Sequence, residues 1–426
     1  MLRLGYVTLT GAMNVHTMQR IDYWFGIPVC LILSLVEVVC RPWKRRRPAT
    51  APIKRILCIE LSEMGSAILA YPMMRKALDT YQDAECHFLI FRRNVESVEM
   101  LELLSPKHIH VIEDTNLFAF TLSALKMIIK LRRIHFDATL DLELFSRCTA
   151  IISCLVGAPI KAGFHNYTEE GLYRGTFFTH RVWYNPHYHI SQNFMALLES
   201  LRADPTDVPL LKIAIKRDSL ALPRLSCPNE SARAAEVVRE LYPDFSTPHS
   251  LILLNPDPGL LTLRGWPIQS YRQLAHRLLS ENEHVLIGVV GLARGAHLHS
   301  AIASGTPNSK RCINMCGAMD TLHDLLGLFK IASVLVTNDS GPAHLAPLVD
   351  LPSVVLFGPE SPNRYAPLGD STTTLYAGLA CSPCFSAQNH RKSVCLNNRC
   401  LQEISVNDVF DAVTQVLRTS HAEGPA

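Results

Sequence analysis

Short apolar runs alternate with amphipathic stretches of helix length along most of this chain, and the alternating pattern occurs twice. The apolar runs cover residues 56–61, 85–91, 109–112 and 136–142 in the first half, and 250–255, 284–290, 333–338 and 353–358 in the second. The stretches between them predict helices over 67–81, 117–133, 268–279, 321–330 and 342–349. Apolar strands that alternate with helices predict parallel sheets covered on both faces, and hence an α/β fold.

The region between the two halves predicts a domain boundary. Residues 215–248 are mixed and polar, and they include Pro223, Pro228, Pro243 and Pro248. We therefore predict a first Rossmann-like domain over 55–215, a linker over 216–248 and a second Rossmann-like domain over 249–426. Two doubly wound domains predict a cleft between them, with ligands at the carboxyl ends of the strands.

An apolar segment of helix length precedes the first domain. Residues 23–40 contain a single charged residue, Glu37. As a helix they would reach roughly 27 Å, slightly short of the ~30 Å hydrocarbon core of a bilayer. Pro28 and Glu37 weaken a membrane-spanning interpretation, so an interfacial or re-entrant helix, a single span and a soluble helix packed on the body all stay open. A cleaved signal peptide is disfavoured because the basic charges follow the apolar run.

The positive charge of the chain is concentrated beside this segment. The chain carries 41 Lys and Arg against 38 Asp and Glu, a net charge of +3. Seven basic residues and no acidic one lie between Arg41 and Arg55, so subtracting these seven leaves a net charge of −4 elsewhere. The mildly acidic remainder argues against a nucleic-acid partner. We expect residues 1–54 to associate with a membrane surface, with the cluster at 44–47 facing anionic lipid on the cytoplasmic side.

The most specific motif follows the third predicted strand of the second domain. Asp339, Ser340, Gly341 and Pro342 lie between this strand and a predicted helix, and His344 follows in the first turn. Proline fits the first turn of a helix, and either Asp339 or Ser340 can cap it. The free amides and the glycine predict a site for a diphosphate, with an ordinary capped turn as the alternative.

Two further loops carry candidate residues. Arg264, in an Arg-Gly-Trp-Pro sequence, follows the first strand of the second domain and is a candidate phosphate ligand, with a surface arginine beside a packed tryptophan as the alternative. The first loop of the first domain, residues 61–66, carries Glu63, Gly65 and Ser66. A single glycine is too few for the dinucleotide-binding fingerprint, which argues against a nicotinamide-dependent dehydrogenase.

Together these motifs resemble glycosyltransferase family 9, the family of the ADP-heptose–lipopolysaccharide heptosyltransferases. The resemblance covers about residues 55–417 and rests on 339–344, 356–359, 264–267 and the first loop. It implies a GT-B fold and inverting sugar transfer without a catalytic metal or other cofactor. It also implies a nucleotide-diphosphate sugar, with ADP-heptose favoured, on the second domain and a lipid-linked glycan such as lipopolysaccharide on the first. With the apolar segment, this predicts a location on the cytoplasmic face of the bacterial inner membrane, either peripheral or with a single span.

The chain departs from the family where the general base is expected. The family loop carries Gly-Asp, whereas this chain carries Gly65-Ser66, and a serine hydroxyl is a poor base near neutral pH. Glu63 in the same loop, or Asp141 and Glu143 at the end of a predicted strand, are the candidate replacements. A catalytically silent protein that binds nucleotide or glycan as a scaffold is the alternative. Residues 291–297 also lack the acidic residue with which the family meets the donor ribose, and Arg264 replaces a family lysine.

Four cysteines lie close together near the carboxyl terminus. Cys381, Cys384, Cys395 and Cys400 fall within twenty residues, whereas the other nine of the thirteen cysteines are scattered. Four thiolates at this spacing predict a closed tetrahedral site for a structural zinc or iron ion. Unligated thiols and disulfides remain the alternatives.

Overall fold

The computed structural model describes residues 15–40, 51–217, 220–245, 250–259, 261–306 and 308–422. The chain divides into two compact units, Met1–Leu220 and Ala221–Ala426. Each unit is built on one six-stranded sheet in which every neighbouring pair of strands is parallel. The predicted α/β class of two doubly wound domains is therefore confirmed.

The first unit contains eight helices and six strands within its described residues. The helices are α1 (Val15–Trp24), α2 (Gly26–Cys40), α3 (Met64–Leu69), α4 (Tyr71–Thr80), α5 (Glu96–Glu99), α6 (Leu117–Ile134), α7 (Arg147–Val156) and α8 (Ile190–Glu199). The strands are β1 (Arg55–Ile59), β2 (Glu85–Phe91), β3 (Ile109–Ile112), β4 (Ala138–Asp141), β5 (Ile160–His165) and β6 (His180–Trp183).

The second unit contains a further eight helices and six strands within its described residues. The helices are α9 (Pro228–Leu241), α10 (Ile268–Glu281), α11 (Ala296–Ala303), α12 (Leu322–Ile331), α13 (Gly341–Leu345), α14 (Pro362–Tyr365), α15 (Arg399–Gln402) and α16 (Val406–Ala422). The strands are β7 (Ser250–Asn255), β8 (Val285–Gly291), β9 (Cys312–Cys316), β10 (Val334–Asn338), β11 (Ser353–Phe357) and β12 (Thr372–Tyr376).

The two sheets share one topology. The first has the order β3-β2-β1-β4-β5-β6, and the second has the order β9-β8-β7-β10-β11-β12. The strand order reverses direction between β1 and β4 in the first sheet and between β7 and β10 in the second. In open α/β sheets ligands bind at the carboxyl ends of strands at such a switch point. Functional residues are therefore expected in the loops that follow these four strands.

Two local breaks depart from the predicted elements. The helix predicted over 67–81 is divided into α3 and α4 at Ala70, and Pro72 lies in the first turn of α4. Proline removes a backbone donor and clashes with the preceding turn, so it begins a helix more readily than it continues one. The predicted linker over 216–248 contains α9, whose Arg233 Nη1 lies 3.2 Å from Asp324 Oδ1 on α12. The division between the units therefore falls after Leu220, and α9 belongs to the second unit.

The helices α1 and α2 pack on the rest of the first unit through a polar stripe and a small apolar cluster around Cys30. Asp22 accepts hydrogen bonds from the backbone amides of Arg147 and Cys148 at the start of α7, and its second oxygen lies 3.1 Å from Arg147 Nη1. Twelve residues along, Ser34 Oγ accepts a hydrogen bond from the amide of Thr176. Glu37 lies 3.9 Å from the buried Lys161. Asp22, which precedes the apolar segment, and Glu37, which interrupts it, therefore bind these helices to the body of the unit.

The opposite side of these helices is apolar and exposed. Trp24 and Phe25 are 72% and 70% exposed, and the large apolar side chains that follow on α2 are also exposed, namely Leu31, Ile32, Leu35, Val36, Val38 and Val39. Thr17–Cys40 is long and apolar enough to cross a membrane by length and composition. The basic cluster at 44–47, which was predicted to face anionic lipid, lies outside the described residues.

Candidate active site

At the switch point of the second unit, the loop after β7 is tied to the end of β10. The amide of Trp266 donates a hydrogen bond to Asn338 Oδ1 at 2.9 Å, and Asn338 Nδ2 donates one to the carbonyl of Pro256. On the other side of the loop, Asn398 Nδ2 donates to the carbonyls of Leu263 and Gly265. These contacts fix the backbone on both sides of Arg264.

Arg264 is held against the predicted diphosphate motif. Its Nε lies 3.3 Å from Asp339 Oδ2, and the side chains are 16% and 6% exposed. Burial raises the pKa of Asp339, while the Arg264 guanidinium opposes that rise. Arg264 also lies over the ring of Phe385, 5.9 Å from its centroid. The interpretation of Arg264 as a surface residue therefore fails, because the structure places it mostly buried beside Asp339.

A second carboxylate, Glu360, lies beside this pair. Glu360 is 1% exposed, and its Oε1 lies 2.6 Å from Arg364 Nη2 while its Oε2 lies 3.9 Å from Arg391 Nε. Burial raises the pKa of Glu360 to about 7, although Arg364 and Arg264 lower it. Three guanidinium groups therefore surround two carboxylates, Asp339 and Glu360, near the carboxyl ends of β10 and β11.

Ser340, Gly341 and His344 lie where the sequence placed them. Ser340 is the N-cap residue of α13, but its side chain makes no capping hydrogen bond; its Oγ instead lies 3.3 Å from Asn255 Nδ2. His344 is buried within α13. Because α13 has only five residues before a 3₁₀ turn, its dipole is small. The positive charge at this switch point therefore comes chiefly from the arginines.

The segment that carries the clustered cysteines packs on the same loops. The Ser382 hydroxyl bonds to the carbonyl of Gly358, and the amide of Phe385 donates to the carbonyl of Pro359 at 2.8 Å. A Cβ atom at Gly358 would lie 2.6 Å from Leu401 Cγ, so only glycine allows this approach. The cysteine segment thus supplies Phe385 and Arg391 to the charged cluster.

The four cysteines lie near one another without forming a closed ligand set. Cys400 is buried and Cys381 is exposed. Burial raises the pKa of Cys400, and the neighbouring thiols of Cys381, Cys384 and Cys395 raise it further. In the described part of the chain, the group whose ligand atoms all lie within 4.8 Å of one another is Glu85, His87 and His108 instead. The thiols are therefore close enough to interact, and a shared metal requires further approach of their sulfurs.

At the switch point of the first unit, Glu143 is bound to the first loop. Its Oε1 accepts hydrogen bonds from the amides of Leu61 and Ser62, at 3.0 and 2.9 Å, and from the Ser62 hydroxyl at 2.8 Å. A carboxylate oxygen that accepts three hydrogen bonds fixes the position of its donors. Glu143 therefore positions the loop that carries Glu63.

Asp141 forms a buried ion pair. It is fully buried, and its Oδ2 contacts Nη2 of Arg174, which is also buried. Arg174 Nη1 donates a further hydrogen bond to the carbonyl of Glu143 at 2.9 Å. Burial raises the pKa of Asp141 to about 7, with Arg174 opposing the rise and Glu143 adding to it. This carboxylate is enclosed by protein, which disfavours contact with an acceptor hydroxyl.

Glu63 and Ser66 lie together in the first loop. The Ser66 hydroxyl donates a hydrogen bond to Glu63 Oε2 at 3.0 Å. Glu63 is the N-cap residue of α3, yet its side chain makes no capping hydrogen bond to the helix. Glu63 and Gly65 are half-buried, whereas Ser66 is buried. The glutamate carboxylate thus lies one hydrogen bond from the position at which the family carries its aspartate.

Sequence reasoning did not find four of the charged residues in these clusters, namely Glu360, Arg364, Arg391 and Arg174. Glu360 follows the Leu-Phe-Gly-Pro motif directly, so its position next to a functional motif was a usable signal. Arg174 and Arg391 lie in irregular segments, and no local pattern marks them. Their partners are Asp141 and Glu360, and only the folded chain brings these groups together.

Comparison with known proteins gives a family match and several relatives. Residues 124–395, more than half of the chain, match the model of glycosyltransferase family 9 (heptosyltransferase). The chain is 26% identical over 194 residues to lipooligosaccharide heptosyltransferase 2 of Haemophilus influenzae, a match that covers 42% of this chain and 55% of that protein. The chain thus spans about half the length of this relative. It is 23% identical over 337 residues to the lipopolysaccharide core heptosyltransferase OpsX of the same organism, covering 77% of this chain and 87% of that one.

The fold also matches a solved structure over most of its length. ADP-heptose lipopolysaccharide heptosyltransferase II of Escherichia coli is 18% identical to this chain, with a TM-score of 0.64. The match covers 86% of this chain and 99% of that one. At this identity the match shows the fold alone, and it confirms the GT-B architecture that the sequence resemblance implied.

Proposed function

Because the chain belongs to glycosyltransferase family 9 (heptosyltransferase), we propose that it is an inverting glycosyltransferase. Its donor is a nucleotide-diphosphate sugar, with ADP-heptose favoured, and its acceptor is lipopolysaccharide or another lipid-linked glycan of the cell envelope. The observation that carries the proposal is the arginine cluster at the switch point of the second unit. Arg264, Arg364 and Arg391 gather there around Asp339 and Glu360.

The second unit supplies the charge that a diphosphate leaving group requires. A guanidinium group offers paired donors that match phosphate oxygens, and it stays charged at every physiological pH. Arg264 is fixed by backbone contacts on both sides, so it needs little reorganisation when negative charge develops. In this proposal Arg264 and the amides near Ser340 and Gly341 bind the diphosphate without a catalytic metal.

The first unit supplies the general base. Glu63 removes the proton from the acceptor hydroxyl, whose oxygen forms a bond to the anomeric carbon. The bond from that carbon to the diphosphate oxygen breaks on the opposite face, and the nucleoside diphosphate leaves. The structure favours Glu63 over its two rivals, because Asp141 is paired with Arg174 and Glu143 holds the loop.

A transfer assay tests this function. Purified chain is incubated with ADP-heptose and a lipopolysaccharide acceptor, and the release of ADP is followed with and without the acceptor. We expect release that depends on the acceptor. ADP that binds in calorimetry, together with the absence of turnover from ADP-, GDP- and UDP-sugars, would contradict the enzyme proposal.

The second candidate function is a catalytically silent scaffold that binds nucleotide or glycan. It is favoured by one observation, the presence of Ser66 where the family carries its presumed base. In that case the arginine cluster still binds a nucleoside diphosphate, and the Glu63–Ser66 pair is structural. The transfer assay separates the two functions, because both predict ADP binding and only one predicts turnover.

We also propose that the chain lies on the cytoplasmic face of the bacterial inner membrane, with α2 along the membrane surface. The polar stripe from Asp22 to Glu37 faces the body of the unit, and the apolar side of α2 is exposed. A helix bound to the protein along one side is suited to the interface rather than to a span. Replacing the exposed Leu35 and Val39 by Gln should reduce binding to lipid vesicles. Unchanged binding would contradict this role of α2.

We further propose that the cysteine segment binds a structural zinc or iron ion. The donor set of Cys381, Cys384, Cys395 and Cys400 suits either metal, and an ion there would hold the segment that supplies Phe385 and Arg391. Metal analysis of reduced protein should find about one ion per chain, as a single four-thiolate site requires. Replacing Cys381 and Cys384 by Ser should remove it, whereas a Cys316→Ser control should retain it. Equal metal content in both variants would contradict the site.

A further inference from the structure

The helix α6 has two apolar faces on opposite sides. The first faces the core and consists of Phe120, Ala124, Met127 and Leu131, which pack against the interior of the first unit. The second consists of Phe118, Leu122, Leu125 and Ile129 and is exposed. At about 100° per residue the second row lies opposite the first. Packing against the core therefore explains why the first face is apolar, but it does not explain the second.

The outer row is unusually exposed for side chains of this kind. Phe118 is 78% exposed, and Leu122, Leu125 and Ile129 are 43%, 54% and 55% exposed. The helix of a soluble domain ordinarily carries polar side chains on this side. A contiguous row of exposed apolar side chains is typical of a binding surface, because such side chains contribute nothing to the packing of the core.

All charged residues of α6 are basic. Lys126, Lys130 and Arg133 are exposed beside the outer row, and the helix contains no aspartate or glutamate along its 18 residues. A basic helix with an apolar row matches a membrane surface that contains anionic headgroups, since the apolar side chains enter the acyl boundary and the long basic side chains reach the headgroups. A protein partner would not require the complete absence of acidic residues.

The helix α7 joins this surface to the amino-terminal helices. It packs against both α2 and α6 within the first unit. Both of these neighbours of α7 carry exposed apolar side chains, Leu35 and Val39 on α2 and Leu125 and Ile129 on α6. The exposed apolar surface of the first unit is therefore larger than the segment that hydropathy alone identifies.

We propose that α6 is a second membrane-binding element, which lies in the interface of a bilayer that contains anionic lipid. The proposal rests on the proposed function at a membrane, and it extends the contact beyond α2. With two elements in contact, the first unit is held in a fixed orientation on the bilayer, whereas α2 alone leaves rotation about its own axis possible. The acceptor-binding unit would thereby face the lipid that carries its glycan.

Vesicle binding by the full chain tests the proposal. One set of vesicles contains phosphatidylcholine alone, and the other contains phosphatidylcholine mixed with phosphatidylglycerol. Replacing Leu122 and Leu125 by Gln should lower the partition coefficient at least about tenfold on both, because two buried apolar side chains are lost. A control with Ile213→Gln and Leu241→Gln, which are also exposed apolar residues, should bind as the unmodified chain does.

A second variant separates the charge from the apolar row. Replacing Lys126 and Lys130 by Gln should weaken binding about tenfold on the anionic vesicles and leave binding to phosphatidylcholine unchanged. Lys310→Gln, an exposed lysine in the second unit, is its control. All of these positions are exposed, so circular dichroism and thermal unfolding should match those of the unmodified chain.

Three results would overturn the proposal. If the α6 variants bind as their controls do while Leu35→Gln and Val39→Gln weaken binding, α6 is not in contact and the α2 anchor stands. If the variants change the oligomeric state in sedimentation velocity and leave vesicle binding unaltered, the row is an interface between copies of the chain. If the unmodified chain binds neither kind of vesicle, the proposed membrane association fails together with α6.

Discussion

The switch points of the two units hold opposite excess charge. In the first unit three carboxylates, Glu63, Asp141 and Glu143, accompany one arginine, Arg174. In the second unit Asp339 and Glu360 accompany three arginines. The same sheet topology therefore supports two electrostatic environments. The residues that follow equivalent strands, rather than the fold, decide which chemistry each unit can perform.

The two clusters also differ in what holds their carboxylates. Glu143 is bound by backbone amides and a neighbouring hydroxyl of the first loop. Glu360 accepts one backbone hydrogen bond, from the amide of Ser361, and otherwise faces the side chains of Arg364 and Arg391. Backbone donors fix the shape of a loop, whereas a guanidinium group can exchange a carboxylate for a phosphate. The first arrangement suits positioning and proton transfer, and the second suits binding of an anion.

The largest expected effect concerns Glu63, in the acidic cluster of the first unit. Glu63→Gln should lower kcat about 10²–10⁴-fold, because the acceptor hydroxyl loses its base. Affinity for ADP, measured by calorimetry, should stay unchanged. The exposed Glu99→Gln variant of the same unit is the control and should keep full activity. An unaltered kcat in Glu63→Gln would remove Glu63 from the mechanism.

The next effect concerns the pH dependence of the second unit. The pKa of Glu360 lies at about 7 in the folded chain, above its ordinary value of 4.5. Its contribution to stability is therefore fully present below pH 4.5 and is lost as the pH rises through 7. Over that interval the loss amounts to about 3 kcal/mol. Glu360→Gln does not titrate, so its free energy of unfolding should change less with pH.

Urea unfolding of the unmodified chain and of Glu360→Gln at several pH values measures this difference. The exposed Glu240→Gln variant should follow the unmodified chain. Parallel stability curves for the unmodified chain and Glu360→Gln would show that Arg364 and Arg391 keep Glu360 ionised throughout.

A somewhat smaller effect concerns Arg264, in the arginine cluster of the second unit. Arg264→Gln should weaken ADP binding about tenfold to a hundredfold, because a charge-assisted hydrogen bond to phosphate is lost. Arg272→Gln, which removes an exposed arginine from α10, serves as the control. Calorimetric titration with ADP gives both affinities. If the two variants bind ADP equally well, the arginine cluster is not the diphosphate site.

The smallest effect separates positioning from proton transfer. In Glu143→Gln a neutral amide oxygen replaces the carboxylate that accepts three hydrogen bonds, so we expect a loss of about 1 kcal/mol in the free energy of unfolding. The value of kcat should fall far less than in Glu63→Gln. The reverse order of the two kcat values would assign the base to Glu143 and leave Glu63 with a structural role.

Much of the fold was predictable because it depends on local periodicity. The bounds of β2, β3 and β7 match the predicted runs 85–91, 109–112 and 250–255. Short strands such as β6 and β12 were not predicted, since they lie at sheet edges and lack a continuous apolar run. Helix α9 was missed because the surrounding prolines suggested a linker, although Pro228 in fact begins the helix.

The sequence predicted which loops carry the candidate site residues, but it did not predict which groups those residues contact. Asp141 and Glu143 were expected together at the end of one strand, and they lie together. Their separate roles follow from Arg174, 33 positions from Asp141, and from the Ser62 amide, 81 positions from Glu143. No sequence pattern specifies contacts across such distances.

The sequence by itself determined the α/β class, the family and the two sets of loops that carry polar residues, because strand periodicity and motif order are local properties. The tertiary structure decided which carboxylate is paired, which positions a loop and which remains available for chemistry. It also decided that Asp22 and Glu37 bind an apolar helix to the first unit. These outcomes depend on burial and on partners that are distant along the chain, and folding alone brings them together.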